Sequence, residues 1–281
     1  MPDGNLRELI RLALREDLGS AGDLTTRHFI PPRARLKGAI VAKQTGVVCG
    51  LDVAARVFRA VSPKIRFRKT AKDGARVRPG QAVAWVSGPR EILTAERTAL
   101  NFLQRLSGIA TLTAAYAARI RGTRAKILDT RKTHPGWRAL EKDAVRAGGG
   151  VNHRMGLYDM VMLKDNHWEA ADDLAASVRR FRRSRPRVPV LIEAKTSREV
   201  DLALKAGAEI VLLDNMAPAR LKTAIRLIRR RSPKTLIEVS GGVTLANLRR
   251  IAKLGPDRIS VGALTHSAPA LDFSLEIGFK G

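Results

Sequence analysis

Residue types that do chemistry follow directly on apolar runs at Asp129-Thr130-Arg131-Lys132, His153-Arg154, Lys164, Glu193, Asp214, Ser240-Gly241-Gly242 and Gly262-Ala263. Basic side chains dominate. Arg131, Lys132, Arg138, Arg154 and Lys164 outnumber Glu193 and Asp214. A pocket built from them would repel itself when empty and would take up a multiply anionic substrate, its arginines gripping carboxylate or phosphate in a bidentate way. The glycines point the same way. Ser240-Gly241-Gly242 and Val261-Gly262-Ala263 end strand-like runs, the place where backbone N–H groups and a helix N-terminus bind phosphate. Neither is a P-loop or a GxGxxG motif. Glu193 and Asp214 form either a general acid/base pair or a hold for the Mg²⁺ of a phosphorylated substrate, with Mg²⁺ the leading reading. Lys164 reads as the ion-pair partner of Asp165 or another acid, or else as the Schiff-base lysine of an aldolase.

These residues meet only if the elements between them fold back repeatedly. From Lys126 onward, apolar strand-like runs recur as AKILDT, YDMVMLKD, VPVLIEA, EIVLLDN, TLIEVSGG and RISVGA, each followed by a helix-compatible segment. Near-continuous apolar strands alternating with helices imply a parallel sheet, either curled into a barrel or open and doubly wound. Polar residues at the carboxyl end of every strand favour the barrel, whose active sites lie on that rim. The preceding chain reads differently. An amphipathic helix over Asn5 to Leu18 ends near Gly19, and short strand-like pieces with one helix around Val53 to Val61 make a compact α+β region up to Val86. Two helical runs follow, Glu91 to Leu106 and Thr111 to Arg121.

The 281 residues are 44% hydrophobic, enough for a large domain plus a smaller one. No run is long enough to span a bilayer and the first residues lack a signal peptide's apolar stretch, so a soluble cytoplasmic protein is expected. The single cysteine, Cys49, excludes an internal disulfide and reads as inert core. The net charge of +26 is drawn largely from RRFRRSRPR at 179 to 187 and RLIRRR at 226 to 231. Both lie at predicted helix ends, where cations complement the dipole and are usually solvated; polyanion affinity is the minor reading, and 4% aromatics leave few stacking platforms for single strands.

REDLGSAGDLTT at 15 to 26, ERTALNFLQRLSGIAT at 96 to 111, DTRKTHPGWRALEKDAVRAGGGVNHRMGLYDMVMLKDNH at 129 to 167, LLDNM at 212 to 216, EVSGG at 238 to 242 and ISVGALTHS at 259 to 267 together resemble the quinolinate phosphoribosyltransferase family. The resemblance implies that quinolinate and phosphoribosyl pyrophosphate give nicotinate mononucleotide, pyrophosphate and carbon dioxide in de novo NAD synthesis. It implies an α/β fold with an N-terminal α+β sandwich over 1–110, a C-terminal tail 270–281 packed on it, and an open α/β barrel of about seven parallel strands over 111–269. It also implies a homodimer, or a larger assembly of dimers such as a hexamer, with Arg97 contributed across the interface. Arg131, His153 and Arg154, helped by Arg97 and Thr130, match residues that grip the quinolinate carboxylates. Lys132 and Lys164 match lysines between acceptor and donor. Glu193 and Asp214 match acids near the ribose hydroxyls and Mg²⁺, and Ser240, Gly241, Gly242, Gly262 and Ala263 match loops holding the 5′-phosphate. No organic cofactor, membrane or nucleic-acid partner is expected.

Four positions depart from the family pattern. His134 stands where Thr is usual, Trp137 where Leu is usual, Leu191 in place of the first acid of a Glu-Val-Glu run, and Lys195 at a usually acidic or polar place. These bear on metal use and acceptor choice. Competing readings are transfer to nicotinate, a molybdenum-transport-associated paralogue, the Lys164 aldolase and a non-enzymatic polyanion binder.

Overall fold

The computed structural model describes residues 3–164, 167–168 and 173–279. The chain forms two compact units, one of Met1–Ala114, Thr133–Gly149 and Leu264–Gly281, the other of Ala115–Lys132 and Gly150–Ala263.

In the first unit, β1 (Arg35–Ala42), β3 (Arg66–Lys69), β5 (Ala82–Pro89) and β12 (Phe273–Ile277) make an antiparallel sheet in the order β12-β1-β5-β3. A two-stranded ladder joins β2 (Gly46–Val47) to β4 (Arg76–Val77). Ile40, Phe58, Ile92, Phe102 and Leu106 are fully or almost fully buried and form the core with the inner face of β1. The helix Leu51–Val61 starts at Gly50, and the carboxylate of Asp73 accepts hydrogen bonds from the Gly50 and Leu51 amides, supplying the cap that Gly50 lacks.

The two helical runs expected after residue 90 are one helix, Glu91–Arg119. Gly108 lies in its middle for a reason of space: a Cβ there would stand 2.0 Å from the Pro269 carbonyl oxygen. Close backbone approach, not a helix break, requires that glycine. Burial of Cys49 pushes its thiol above its usual range, which leaves it an inert core side chain.

The second unit holds six parallel strands, β6 (Lys126–Leu128), β7 (Val161–Leu163), β8 (Val190–Ala194), β9 (Ile210–Asp214), β10 (Leu236–Ser240) and β11 (Arg258–Ser260), in the order β6-β11-β10-β9-β8-β7. Val151 adds a single parallel bridge to Leu128 on the far side of β6, so the seventh strand position is reduced to one residue. The sheet order is therefore the chain order closed into a ring and opened once, between Val151 and β7. A doubly wound sheet would instead reverse direction at a switch point, so this order selects the open barrel.

Candidate active site

Parallel pairing puts every strand's carboxyl end on one rim, and register with the two-residue side-chain period decides what faces inward. Met162 pairs with Leu191, and Leu191 with Ile210. These residues pack with Leu212 and Met160 into one apolar cluster on the inner face. Two residues further along the same face, the same parity presents Lys164 and Glu193 level with Leu212, and Asp214 follows one layer beyond. Lys164 Nζ lies 3.2 Å from Glu193 Oε2, as expected of residues level in register, and Lys195 Nζ lies 3.9 Å from Glu193 Oε1. Glu193 is buried while Lys164 is half exposed. An aldolase lysine is activated by desolvation or a cationic neighbour. This one has water and a carboxylate instead. The alternative partner, Asp165, lies outside the described residues.

His153 and Glu238 are joined inside the ring. Val151 pairs with Leu128, so His153 shares the inner face, where its Nε2 comes to 3.0 Å from Glu238 Oε1. Arg258, the register partner of Glu238, brings Nε to 2.9 Å from Glu238 Oε2. The distances are those of ion pairs. Burial alone would push the Glu238 carboxyl up, but His153, Arg258 and Ser260 together hold it below its usual range. His153 Nδ1 accepts the Arg154 amide at 2.7 Å, and the fully buried Asp129 accepts the His153 amide at 2.8 Å. The nitrogen that accepts from the amide is Nδ1, so Nε2 is the ring position that presents N–H to Glu238.

Arg154 donates to the Met160 carbonyl at 3.1 Å. Burial lowers its pKa, the like charge of Arg131 lowers it further and Asp159 partly offsets both, so two guanidiniums share one region. Arg131 and Lys132 are exposed, and the Thr130 hydroxyl accepts the Lys132 amide, turning the chain directly after β6.

Asp214 accepts from the Asn215 side-chain amide at 3.0 Å. Asn215 takes a positive φ of 51°, tolerable for Asn, and its amide donates to Ser240 O at 3.0 Å. A Cβ on Gly241 would meet Asn215 Oδ1 at 2.2 Å and Asn215 N at 2.9 Å, so only glycine lets the Ser240–Gly242 loop lie against it. The loop feeds the helix Leu245–Ala252, capped by a reciprocal Thr244–Asn247 box, and Asn247 also donates to Gly242 O at 2.8 Å. Gly262 and Ala263 follow β11 at the same rim, where Ala263 opens the turn Ala263–His266.

Sequence reasoning gave no part to Glu238, Arg258 or Asn215. The available signal was a carboxylate inside an apolar strand, since such a charge requires a partner.

Arg97 and Arg138 belong to the first unit. Arg97 is exposed on the helix Glu91–Arg119; burial raises the carboxyl of its neighbour Glu96, and Arg97 partly offsets that. Arg138 opens the helix Arg138–Ala147 and donates to the Thr133 hydroxyl at 3.0 Å. The departures His134 and Trp137 anchor this segment. His134 Nδ1 lies 2.7 Å from the buried Glu141 carboxylate, which also takes Arg105 at 3.1 Å, and Trp137 stacks on Phe102 with centroids 4.5 Å apart. Leu191 is explained by the apolar cluster it fills, where an acid would be desolvated without a partner.

Among the described residues no group of three or more His, Cys, Asp or Glu could hold a metal ion by itself. Glu193 is already held by two ammoniums, leaving Asp214 as the more available carboxylate. This donor set fits Mg²⁺, which commonly takes one or two carboxylates and completes its shell with substrate phosphates.

The description "Quinolinate phosphoribosyl transferase, C-terminal domain" matches residues 109–276, and that of the N-terminal domain matches 23–107. The chain belongs to the quinolinate phosphoribosyltransferase family. It is 42% identical over 276 residues to the nicotinate-nucleotide pyrophosphorylase [carboxylating] of Mycobacterium leprae, covering 96% of each chain. A probable enzyme of that name from Synechocystis is 44% identical over 267 residues, covering 94% of this chain and 90% of the relative. The solved nicotinate-nucleotide pyrophosphorylase from Francisella tularensis superposes with a TM-score of 0.91 at 35% identity, covering 99% of this chain and 97% of that one. The family shares this mixed α/β architecture of a parallel sheet and a separate antiparallel one.

Proposed function

We infer that the chain is a carboxylating nicotinate-nucleotide pyrophosphorylase, a pentosyltransferase of NAD biosynthesis that joins quinolinate to phosphoribosyl pyrophosphate and releases pyrophosphate and carbon dioxide. The observation that carries this reading is the clustering on one barrel rim of two guanidiniums, Arg131 and Arg154, with the Lys164–Glu193–Lys195 group and Asp214, in a chain matched end to end by family members.

Arg131 and Arg154 bind the two carboxylates of the pyridine, His153 acts with them by fixing Arg154, and Thr130 shapes their loop. Glu193 and Asp214 face the ribose, where their charge stabilises the oxocarbenium character that builds as the bond from C1 to pyrophosphate breaks. Lys132 and Lys164 meet the charge of the departing pyrophosphate. When bound, Mg²⁺ neutralises the pyrophosphate oxygens, and Asp214 with Glu193 would hold it. The pyridine nitrogen attacks C1 from the opposite face. The ring, then quaternary, stabilises the electron pair left at C2 when that carboxylate leaves as carbon dioxide, and C2 then takes a proton from water, so no organic cofactor is required. Ser240, Gly241, Gly242, Gly262 and Ala263 hold the 5′-phosphate through backbone amides near the helix Leu245–Ala252.

We assign the functional modules to 1–110 with 270–281 and to 111–269, supported by the two family matches and by the pairing of β12 with β1. The active unit is a homodimer in which the exposed Arg97 completes the partner's site. The enzyme works in the cytoplasm, where its impermeant phosphorylated donor is made. The test is incubation with Mg²⁺, phosphoribosyl pyrophosphate and either quinolinate or nicotinate, following mononucleotide and carbon dioxide. Quinolinate alone turns over; product from nicotinate alone would overturn the assignment.

A further inference from the structure

The catalytic rim leaves the net charge of +26 unexplained, and the opposite rim of the same sheet accounts for part of it. Helices flanking a parallel sheet run against the strands, so their last turns and the loops after them gather at the strands' amino ends. Following the order β8-β9-β10-β11-β6, this rim is built from segments 185–189, 206–209, 232–235, 253–257 and 120–125.

Its acids are already engaged. Glu209 pairs with Arg182, Asp257 lies 2.6 Å from Arg229 and 2.8 Å from Arg124, and Asp201 takes Lys205 at 2.9 Å together with Arg231. Arg183, Arg185, Arg187, Arg230, Lys234 and Lys253 remain exposed, with no ion pair among the described residues. The helix dipole accounts for cations in a last turn, such as Arg183 and Arg230. It accounts less well for Arg187 and Lys234, which lie two residues past the caps Arg185 and Ser232. Unpaired like charges so gathered repel one another and destabilise the fold unless an anion answers them.

Among the described residues of this unit the exposed large apolar side chains are Val151, Leu157, Tyr158, Leu202 and Leu236, and of these only Leu236 lies at this rim. The face therefore offers neither the aromatics that stack unpaired bases nor the anchors that enter a bilayer. A regular array of phosphates is the remaining match. We propose that the amino-terminal rim of the parallel sheet is a docking surface for the phosphate backbone of duplex nucleic acid, without sequence preference. The proposal is independent of the catalytic assignment.

The test is fluorescence anisotropy of a short random-sequence DNA duplex with the full chain across a salt series. Contact with five or six phosphates gives a log–log slope of about −5, by the counterion-release rule. The combined substitution of Arg183, Arg185, Arg187, Arg230 and Lys234 by Ala makes that slope shallower by about 4 and weakens low-salt binding by roughly 100-fold. A control variant with Arg33, Arg35, Lys64, Arg66 and Arg68 changed to Ala removes the same charge from exposed places in the first unit and keeps the parent slope. Parental far-UV circular dichroism and Tm in both variants show that they are folded. Equal weakening by the control, an unchanged slope in the rim variant, or tighter binding to anionic phospholipid vesicles than to the duplex would each overturn the proposal.

Discussion

Removing the Glu238 side chain tests whether the interior of the barrel positions the substrate-binding arginines. In Glu238→Ala, His153 Nε2 and Arg258 Nε lose the carboxylate that stood 3.0 Å and 2.9 Å away. Deleting one partner of a buried ion pair costs about 3–5 kcal/mol. Arg258 keeps 18% side-chain exposure and can recover some hydration, so the lower end, about 3 kcal/mol, applies. For a chain of this size that is a fall in Tm of roughly 6–10 °C. Glu238→Gln keeps the shape and loses only the charge, at about 1–2 kcal/mol. The kinetic effect runs through His153: without Glu238 its ring no longer holds Nδ1 against the Arg154 amide, and KM for quinolinate rises about tenfold, a loss of roughly 1.4 kcal/mol, while kcat changes little. Acid behaviour provides a second readout. The folded-state pKa of Glu238 lies below its unfolded value, so its ionised form adds stability above the ordinary carboxylate range, and that share is lost as pH falls through the folded value. The Gln variant lacks this share, so its Tm declines less steeply than the parent's on acidification. Scanning calorimetry and steady-state kinetics measure all of these. An Ala variant with parental Tm and parental KM for quinolinate would refute the reasoning.

Arg131→Ala and Arg97→Ala should each lose quinolinate turnover by about 100-fold, and mixing the two after mild dissociation should recover about a quarter of parental activity if Arg97 serves the partner's site. No recovery in mixed dimers would place Arg97 elsewhere. Lys195→Glu replaces an ammonium 3.9 Å from Glu193 by a like charge, so phosphoribosyl pyrophosphate binding measured calorimetrically without Mg²⁺ should weaken by about tenfold and be largely restored by Mg²⁺. Gly108→Ala drives a methyl into the Pro269 carbonyl at 2.0 Å and should cost at least about 2 kcal/mol in urea unfolding, despite alanine's better helix propensity. Trp137→Ala gives up the stack on Phe102 and should cost about 2–3 kcal/mol, with Trp137→Leu recovering most of it.

Strand existence and strand ends were legible because they are local. A buried parallel strand is an apolar run, and Lys164, Glu193 and Asp214 each stand at or just past the end of one, so the pattern alone located them at strand tips. Ring closure was not legible, since periodicity is the same for a barrel and an open sheet. The pairing of β6 with β11, residues far apart in the chain, decided it. Glu238 was hidden for a related reason. Within Leu236–Ser240 it reads as an interruption of an apolar strand, and its counter-charges come from residues 153 and 258. The one long helix misread as two shows the converse case. Gly108, between the two expected runs, is a contact with Pro269, more than 150 residues away.

By itself the sequence determined which residues are strand ends, how many cations the molecule must place and which family's motifs it carries, because each of these depends on neighbours in the chain. Only the tertiary structure decided which carboxylates are already neutralised and which cations have no ion pair among the described residues. It also decided that His153 spends both ring nitrogens inside the protein. Charge pairing and burial depend on distance in space, and the register of six strands sets that distance.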